Sequence, residues 1–181
     1  MPRVSQEQAK LNRARVVEVA ATLFRERGLH GVGVADIMSA AGLTHGGFYG
    51  QFANKDALAV EAFECALSQD RRGDIEALVA EYLSAEHVRT PGTGCPIAAL
   101  ASDVAREMPD SAVRHRFTQG VRRFSELIGK LLPRSSAERR RQRALAAIST
   151  LVGAVILARA VDDEQLSGEL LDAAKSAVVP Q

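Results

Sequence analysis

Tryptophan is absent from the sequence, and cysteine occurs only twice, at Cys65 and Cys95. Two thiols in 181 residues do not make a disulfide framework, and no CxxC or Cys/His ligand spacing predicts a zinc module. The histidines at 30, 87 and 115 also lack ligand spacing. We therefore expect no metal site and no cofactor.

A large charge of either sign is also missing, since the net charge is only +1. Residues 1–56 carry seven Lys and Arg against five acids, an excess too small to identify a nucleic-acid surface by itself. The N-terminus has no apolar stretch typical of a signal peptide. The longest uncharged apolar run, Ala144–Ala158, has 15 residues, fewer than the roughly 18–20 that cross a bilayer. These features predict a cytoplasmic protein without a membrane segment.

Apolar residues recur at helical spacing along the whole chain, and no convincing strand pattern is present. Val16, Ala20, Leu23 and Phe24 define an amphipathic helix that should end at Gly28. Similar stripes predict later helices over 75–83, 97–104, 113–131, 137–161 and 166–178. The sequence therefore predicts an all-α fold of about nine helices.

The segment between Val34 and Phe52 has the pattern of a helix-turn-helix. A short helix over 34–41 is followed by Gly42, which can adopt the positive φ of a tight turn. Thr44 is the expected N-cap of a second helix over 45–52. Asn54 should cap a longer helix that extends to about residue 72.

Spaced motifs in this region resemble the signature of the TetR/AcrR family of transcriptional regulators. They are Leu23-Phe24, Gly28, Ala40-Ala41-Gly42, Phe48-Tyr49-(x)2-Phe52 and Lys55-Asp56-Ala57-Leu58. The resemblance covers about residues 11–60. It implies a three-helix DNA-binding head, placed at 9–70 with its helix-turn-helix at 33–52, and an effector-binding and dimerisation body at 71–181.

The resemblance also implies roles for individual residues. Thr44, Tyr49 and Lys55 would bind phosphates of a palindromic DNA operator, while base edges would be read at His45, Gly46, Gly47 and Gln51. Two features depart from the family. Gly33 lacks the hydroxyl often present at its position, and glycines at 46, 47 and 50 leave few side chains to read bases.

In the body, the apolar helix around 144–158 needs cover on all sides, which a second copy of the chain would supply. A four-helix homodimer interface would use Ile148, Leu151, Val155, Leu166 and Leu170, although a monomer core can also contain such a helix. An effector of unknown identity would bind among the middle helices. The candidate lining is Phe63, Tyr82, Cys95, Leu100, Phe117, Val121 and Phe124.

Three alternatives remain open. Cys95, in Gly94-Cys95-Pro96 at a helix start, is either a thiol that senses oxidants or electrophiles or simply a small packing residue. The same head could belong to an activator or a nucleoid-associated protein rather than a repressor. A small all-helical enzyme is disfavoured because no catalytic constellation is visible. A pure helical interaction module is disfavoured because it would have no use for the phosphate-binding set Thr44, Tyr49 and Lys55. The acids Asp103, Glu107, Asp162 and Asp163 have the pattern of solvated helix faces.

Overall fold

A computed structural model describes residues 6–68 and 73–179. Within these ranges the chain is all-α, with nine α-helices as the periodicity predicts. They are α1 (Gln6–Arg27), α2 (Val34–Ala40), α3 (Lys55–Leu67), α4 (Ile75–Tyr82), α5 (Ala85–Arg89), α6 (Pro96–Arg106), α7 (Ala112–Leu131), α8 (Ala137–Ala160) and α9 (Glu164–Val178). Short 3-10 turns lie at His45–Gly47 and Pro91–Thr93. The predicted boundary between head and body, at residues 70 and 71, lies outside the described residues.

Polar side chains cap most helix starts and so fix where each helix begins. The carboxamide of Asn54 accepts a hydrogen bond from the amide of Ala57 at 2.8 Å, as the sequence predicts. Five other N-cap side chains accept a backbone amide in the same way: Asp74, Ser84, Ser111, Ser136 and Asp163. The loops between these caps are short, which keeps consecutive helices adjacent.

The head consists of α1, α2, the 3-10 turn and the first half of α3. Its core contains Phe24, Phe48 and Phe52, together with Ile37 and Met38 of α2. Large rings fill this small interior efficiently. The predicted helix over 45–52 is wrong in type: the segment forms one 3-10 turn and then an irregular turn before α3. Three glycines in six residues lower the helix propensity enough to explain this.

The body is built around α7, which packs against α3, α6 and α8, while α9 returns along α8. Among the described residues, α8 is the one helix long and apolar enough to span a bilayer. Seven of its side chains are nevertheless buried in the protein interior. Together with its packing against α7 and α9, this is the environment of a core helix.

Candidate nucleic-acid interface and ligand cavity

The turn of the helix-turn-helix is stabilised by backbone geometry that glycine makes possible. Gly42 has φ +71°, and its amide donates to the Ser39 carbonyl at 2.9 Å. The next amide, of Leu43, donates to the Met38 carbonyl at 2.8 Å. This pair of bonds is a Schellman ending. It stops α2 and redirects the chain so that Thr44 and His45 leave the core.

The segment after the turn presents polar groups and bare backbone to solvent. Thr44, His45, Gly46 and Tyr49 are exposed, and the Tyr49 side chain is 68% accessible although it is aromatic. Its ring packs edge-on against His45 and against the buried Phe48, with centroids 5.8 and 5.3 Å apart. These contacts position the tyrosine ring beside the exposed 3-10 turn at His45–Gly47, which is called the recognition turn below.

Two of the predicted contact residues are arranged differently from the sequence-based expectation. Thr44 occupies the N-cap position, but its hydroxyl makes no capping hydrogen bond. The amide of Gln51 donates to the Gly47 carbonyl at 3.2 Å, and Gln51 Oε1 is buried without a hydrogen-bond partner among the described residues. Gln51 is therefore folded against the turn and is not extended into solvent.

A buried aromatic pair packs against the inner side of the recognition turn. The Phe48 and Phe52 rings stack with centroids 5.4 Å apart, and the Arg13 guanidinium lies 4.6 Å from the centroid of Phe52. Arg13 also binds both carboxylate oxygens of Glu61, at 2.5 and 2.6 Å. This bidentate bond raises the pKa of Arg13 above its ordinary value, and the negative charge of Glu61 adds to the effect. The contacts join α1, the turn and α3.

Lys55, the first residue of α3, lies at the junction between the turn and this helix. It is half-buried, with Nζ 5.9 Å from the centroid of Phe24. From Lys55 the helix runs to Leu67, a rise of about 18 Å. One helix therefore connects the recognition region with the interior of the body.

The far end of α3 borders a cavity of about 300 Å³ between α3, α6 and α7. Its lining is Ala66, Leu67, Ser68, Cys95, Pro96, Ile97, Gly120, Arg123, Phe124 and Leu127. Of the predicted pocket residues, Cys95 and Phe124 line this cavity. Phe63, Tyr82 and Leu100 are buried core side chains, while Phe117 and Val121 are half-buried and do not line it. The sequence missed Ser68 and Arg123, because no local pattern shows which residues of three separate helices meet.

Cys95 is buried at the N-cap of α6, in a cluster of cationic and imidazole groups. Its amide donates to Nε2 of His87 at 2.9 Å, so Nδ1 of the same ring carries the hydrogen and donates to the Tyr82 carbonyl. Arg25 donates to the Gly94 carbonyl and Arg159 to the His87 carbonyl. Burial lowers the pKa of both arginines, and the negative charge of a Cys95 thiolate would oppose that effect.

The C-terminal half of α6 contacts the head, which corrects the expectation that Asp103 and Glu107 are solvated. Asp103 Oδ2 accepts the Leu29 amide at 2.8 Å, and Glu107 Oε1 lies 2.9 Å from Nε2 of His30. Gly28 has φ +79°, and a Cβ there would lie 2.5 Å from Asp103 Oδ2. The body carboxylate thus fits into the turn that ends α1. The sequence signal that could have indicated this contact is the spacing of the two acids, which are four residues apart at the end of α6.

The last two helices expose apolar stripes, but not at all the predicted positions. Ile148, Leu151 and Val155 are buried within the single chain, so their side chains are not available to a partner. The outer stripe of α8 consists of the exposed Leu145, Ser149 and Ile156 with the half-buried Val152. On α9, Leu166 is exposed and Leu170 half-exposed, in a stripe continued by Ala173 and Ala177. Each stripe repeats at i, i+4, i+7 and i+11, the spacing of one helix face.

Comparison with known proteins adds the family to this geometry. The model of bacterial regulatory proteins of the tetR family matches residues 16–62. An uncharacterised HTH-type transcriptional regulator of Mycobacterium tuberculosis is 30% identical over 162 residues, which cover 81% of this chain and 84% of that protein. The HTH-type transcriptional repressor KstR2 of Rhodococcus jostii is 34% identical over 91 residues, covering 41% and 45% of the two chains.

Solved structures share the fold over almost the full length. A TetR-family regulator from Agrobacterium tumefaciens superposes with a TM-score of 0.75 at 18% identity, covering 95% of this chain and 100% of the other. Reduced NemR from E. coli gives 0.71 at 22% identity, covering 92% and 94%. With an exposed helix-turn-helix on a helical body, the chain belongs to the TetR family of DNA-binding transcriptional regulators, a family without enzymatic activity.

Proposed function

We propose that the protein is a homodimeric repressor whose heads bind a palindromic operator and release it when a small effector enters the body. The observation that carries this proposal is the exposed edge formed by Thr44, His45, Gly46 and Tyr49. It lies over the buried, stacked rings of Phe48 and Phe52. An edge of hydroxyls, one imidazole and bare backbone would let the 3-10 turn at His45–Gly47 approach a DNA groove closely.

Phosphate binding would position each head on the duplex. Thr44 and Tyr49 offer exposed hydroxyls, and Lys55 supplies a cation at the start of α3. His45 would contact a base edge, and Gly46 and Gly47 would let the backbone approach closely. Gln51 would read a base only after breaking its bond to Gly47, and its unpartnered Oε1 favours such a rearrangement.

Dimerisation would pair the apolar stripes of α8 and α9 with those of a second copy in a four-helix bundle. Gly153 of α8 supports this arrangement, because no atom lies within 4 Å of the position its Cβ would take and a partner helix could approach closely. In TetR-like dimers two recognition elements would be held about 34 Å apart, one turn of DNA.

The dimer is tested by placing charge on the exposed face of α8. Val152→Arg combined with Ile156→Arg should give a folded monomer by light scattering and should abolish operator binding, since one head alone makes half of the contacts. Met108→Arg is the matched control, because Met108 is 69% exposed on the α6–α7 connection. A double variant that stays dimeric would remove these stripes from the interface.

Effector binding in the 300 Å³ cavity would act on the head through two helices. The end of α3 and the start of α6 both line the cavity, while Lys55 and Asp103 lie near their opposite ends at the head. A ligand that separates these helices would shift the head, and its effect is limited to its differential affinity for the two states, typically about 1–3 kcal/mol.

A second trigger would be covalent modification of Cys95, favoured by its position in the cavity wall. N-ethylmaleimide is a suitable probe: the sulfur bonds to one carbon of its double bond, and the proton lost by the thiol is balanced by a proton added to the other carbon. Operator release by the wild type and by Cys65→Ser, but not by Cys95→Ser, would support the trigger. Equal release by Cys95→Ser would assign Cys95 a packing role only.

The proposal as a whole is tested by a gel shift on DNA from upstream of the protein's own coding region. A specific, salt-sensitive complex should form and should be weakened by Tyr49→Phe and Lys55→Gln. Transcription from the bound promoter then separates repression from activation. Binding of equal strength to unrelated DNA would instead indicate a nucleoid-associated protein.

A further inference from the structure

Positive charge is concentrated where α7 ends and α8 begins, and the proposed repressor mechanism does not use it. Residues 122–143 contain eight Lys and Arg but only two Glu, a net charge of +6 in a chain whose total is +1. The rest of the chain is therefore acidic. A concentration of like charges is unfavourable within one small region unless an anion compensates it.

Four of these cations surround a groove of about 580 Å³ between the two helices. They are Lys130, Arg134, Arg140 and Arg141. None of the four makes an ion pair with another described residue. Glu126 is the single acid in the lining. By contrast, Arg123, which is one of the eight but lies outside the groove, binds Glu64 of α3, as does Arg116.

Hydrogen-bonding groups of the backbone add to the cationic side chains. The groove includes Ala137, the first residue of the 24-residue helix α8. The Ser136 hydroxyl accepts the Arg139 amide, and the amides of Ala137 and Glu138 have no acceptor within the helix. The helix dipole favours an anion at this end. In the same connection the Ser135 hydroxyl is buried without a hydrogen-bond partner among the described residues.

The rest of the lining is apolar and close to the backbone. Leu132, Ala137 and Ala144 contribute apolar side chains, and Gly129 presents only main chain. An inorganic ion would use the cations but not this surface. A ligand of the groove's size with a charged end and an apolar or aromatic end would use both.

The groove is separate from the two sites described above. It shares no lining residue with the 300 Å³ cavity and includes no residue of the helix-turn-helix. Gly120 of α7 lies beside Leu67 at the end of α3, and Lys130 lies ten residues, about 15 Å, farther along α7. Because α3 itself runs about 18 Å from the head, operator DNA bound by Thr44 and Lys55 would not extend to the groove.

We propose that this groove binds a small organic phosphate, a molecule with a multiply charged phosphate group and an apolar or aromatic body. Arg140 and Arg141 hold the phosphate oxygens through their guanidinium groups, with Lys130 and Arg134 closing the other side. The apolar body lies on Leu132 and Ala144. The repressor thereby carries a second ligand site whose occupancy does not require the effector cavity.

Calorimetric titration of the full-length protein at low salt tests the site with four probes: inorganic phosphate, pyrophosphate, tripolyphosphate and magnesium-free ATP. We expect affinity to rise from phosphate to pyrophosphate with charge, and ATP to bind more tightly than tripolyphosphate because its base contacts the apolar floor. Arg140→Gln combined with Arg141→Gln should weaken ATP binding by at least about tenfold, the loss expected for charge-assisted hydrogen bonds.

The matched control removes the same charge from the same helix outside the groove. Arg139→Gln combined with Arg143→Gln should weaken ATP binding by less than about threefold, since neither residue lines the groove. Equal losses in the two double variants, or no binding of any probe to the wild type, would overturn the proposal. So would a short mixed-sequence DNA duplex that displaces ATP and depends on Arg140 and Arg141, because the groove would then be a nucleic-acid surface.

Discussion

Replacing Asp103 with alanine removes the carboxylate through which α6 contacts the turn at the end of α1. In wild type its Oδ2 accepts the Leu29 amide at 2.8 Å. The Gly28 amide already bonds to the Phe24 carbonyl, and no backbone acceptor takes the Leu29 amide. The variant therefore leaves a buried donor without a partner, in a residue that is 5% exposed.

The size of the effect follows from these contacts. A hydrogen bond to a charged group contributes about 1.5–3 kcal/mol, and stranding a buried amide costs a similar amount. Asp103 also lies 3.9 Å from Arg106, but that exposed pair adds little. We expect Asp103→Ala to lower the free energy of unfolding by about 1.5–3 kcal/mol. Asp103→Asn, which keeps an acceptor oxygen, should lose less than half of that.

Urea unfolding measures the stability, and hydrogen exchange measures the local contact. If the amide opens locally, exchange of Leu29 should accelerate by about 10- to 150-fold, the ratio that corresponds to the energy above. Asp163→Ala is the matched control: it removes an N-cap of α9 and costs about 0.5–2 kcal/mol, but it lies far from the head along the chain. In Asp163→Ala, hydrogen exchange of the Leu29 amide should accelerate only as far as the lower free energy of global unfolding requires.

Operator binding shows whether the bond between Asp103 and Leu29 only stabilises the fold or also positions the head for DNA. Asp103→Ala should weaken the specific complex more than Asp163→Ala does at equal global stability, because the head is less firmly held. If Asp103→Ala is as stable as wild type within about 0.5 kcal/mol, the ordinary range for surface changes, and Leu29 stays protected, the reasoning about α6 is refuted.

Three other predictions concern single side chains. Lys55→Gln should reduce the slope of log K against log salt for the operator complex by about 0.9 per head; an unchanged slope would mean that Lys55 contacts no phosphate. Gly46→Ala should stabilise the protein by up to about 1 kcal/mol in urea unfolding, since no atom lies within 4 Å of the new Cβ, yet weaken operator binding by keeping the backbone from the groove. Unimpaired binding would contradict the close approach. Leu151→Ala should cost about 2–5 kcal/mol in urea unfolding because Leu151 is 0% exposed, whereas Leu11→Ala, at a 60% exposed site, should stay within about 0.5 kcal/mol. A small loss at Leu151 would show that the surrounding core collapses into the space.

Several helix boundaries were predictable because their causes are local, but the end of α3 was not: the structure ends it at Leu67 with Ser68 as C-cap, before the predicted end near residue 72. Asn54 and Gly28 act on residues no more than four positions away, and Gly42 ends α2 through its own φ angle. The 3-10 turn at His45–Gly47 shows the limit of this reasoning. Its sequence position was identified correctly, but a pattern of spacing does not weigh three glycines against helix formation.

Contacts between distant segments were not predictable from periodicity. The sequence of an apolar helix such as α8 does not reveal which side its own chain covers, so its periodicity predicts Leu151 and Val155 in a dimer interface although both are core residues of the single chain. Asp103 had the pattern of a solvated face because its partner is a main-chain amide 74 positions earlier. Only Cys95 and Phe124 of the predicted pocket residues line the cavity for the same reason, since three helices contribute to it.

The bond from Arg13 to Glu61, together with its contact on Phe52, joins α1, α3 and the recognition turn into one block. These contacts favour movement of the head as one unit, so a dimer would adjust to DNA chiefly through the distance and rotation between its two heads. One base pair inserted between half-sites shifts them by 3.4 Å and turns them by about 35°. Operator choice by this protein would therefore depend on the spacing of its half-sites more than on the identity of any one base.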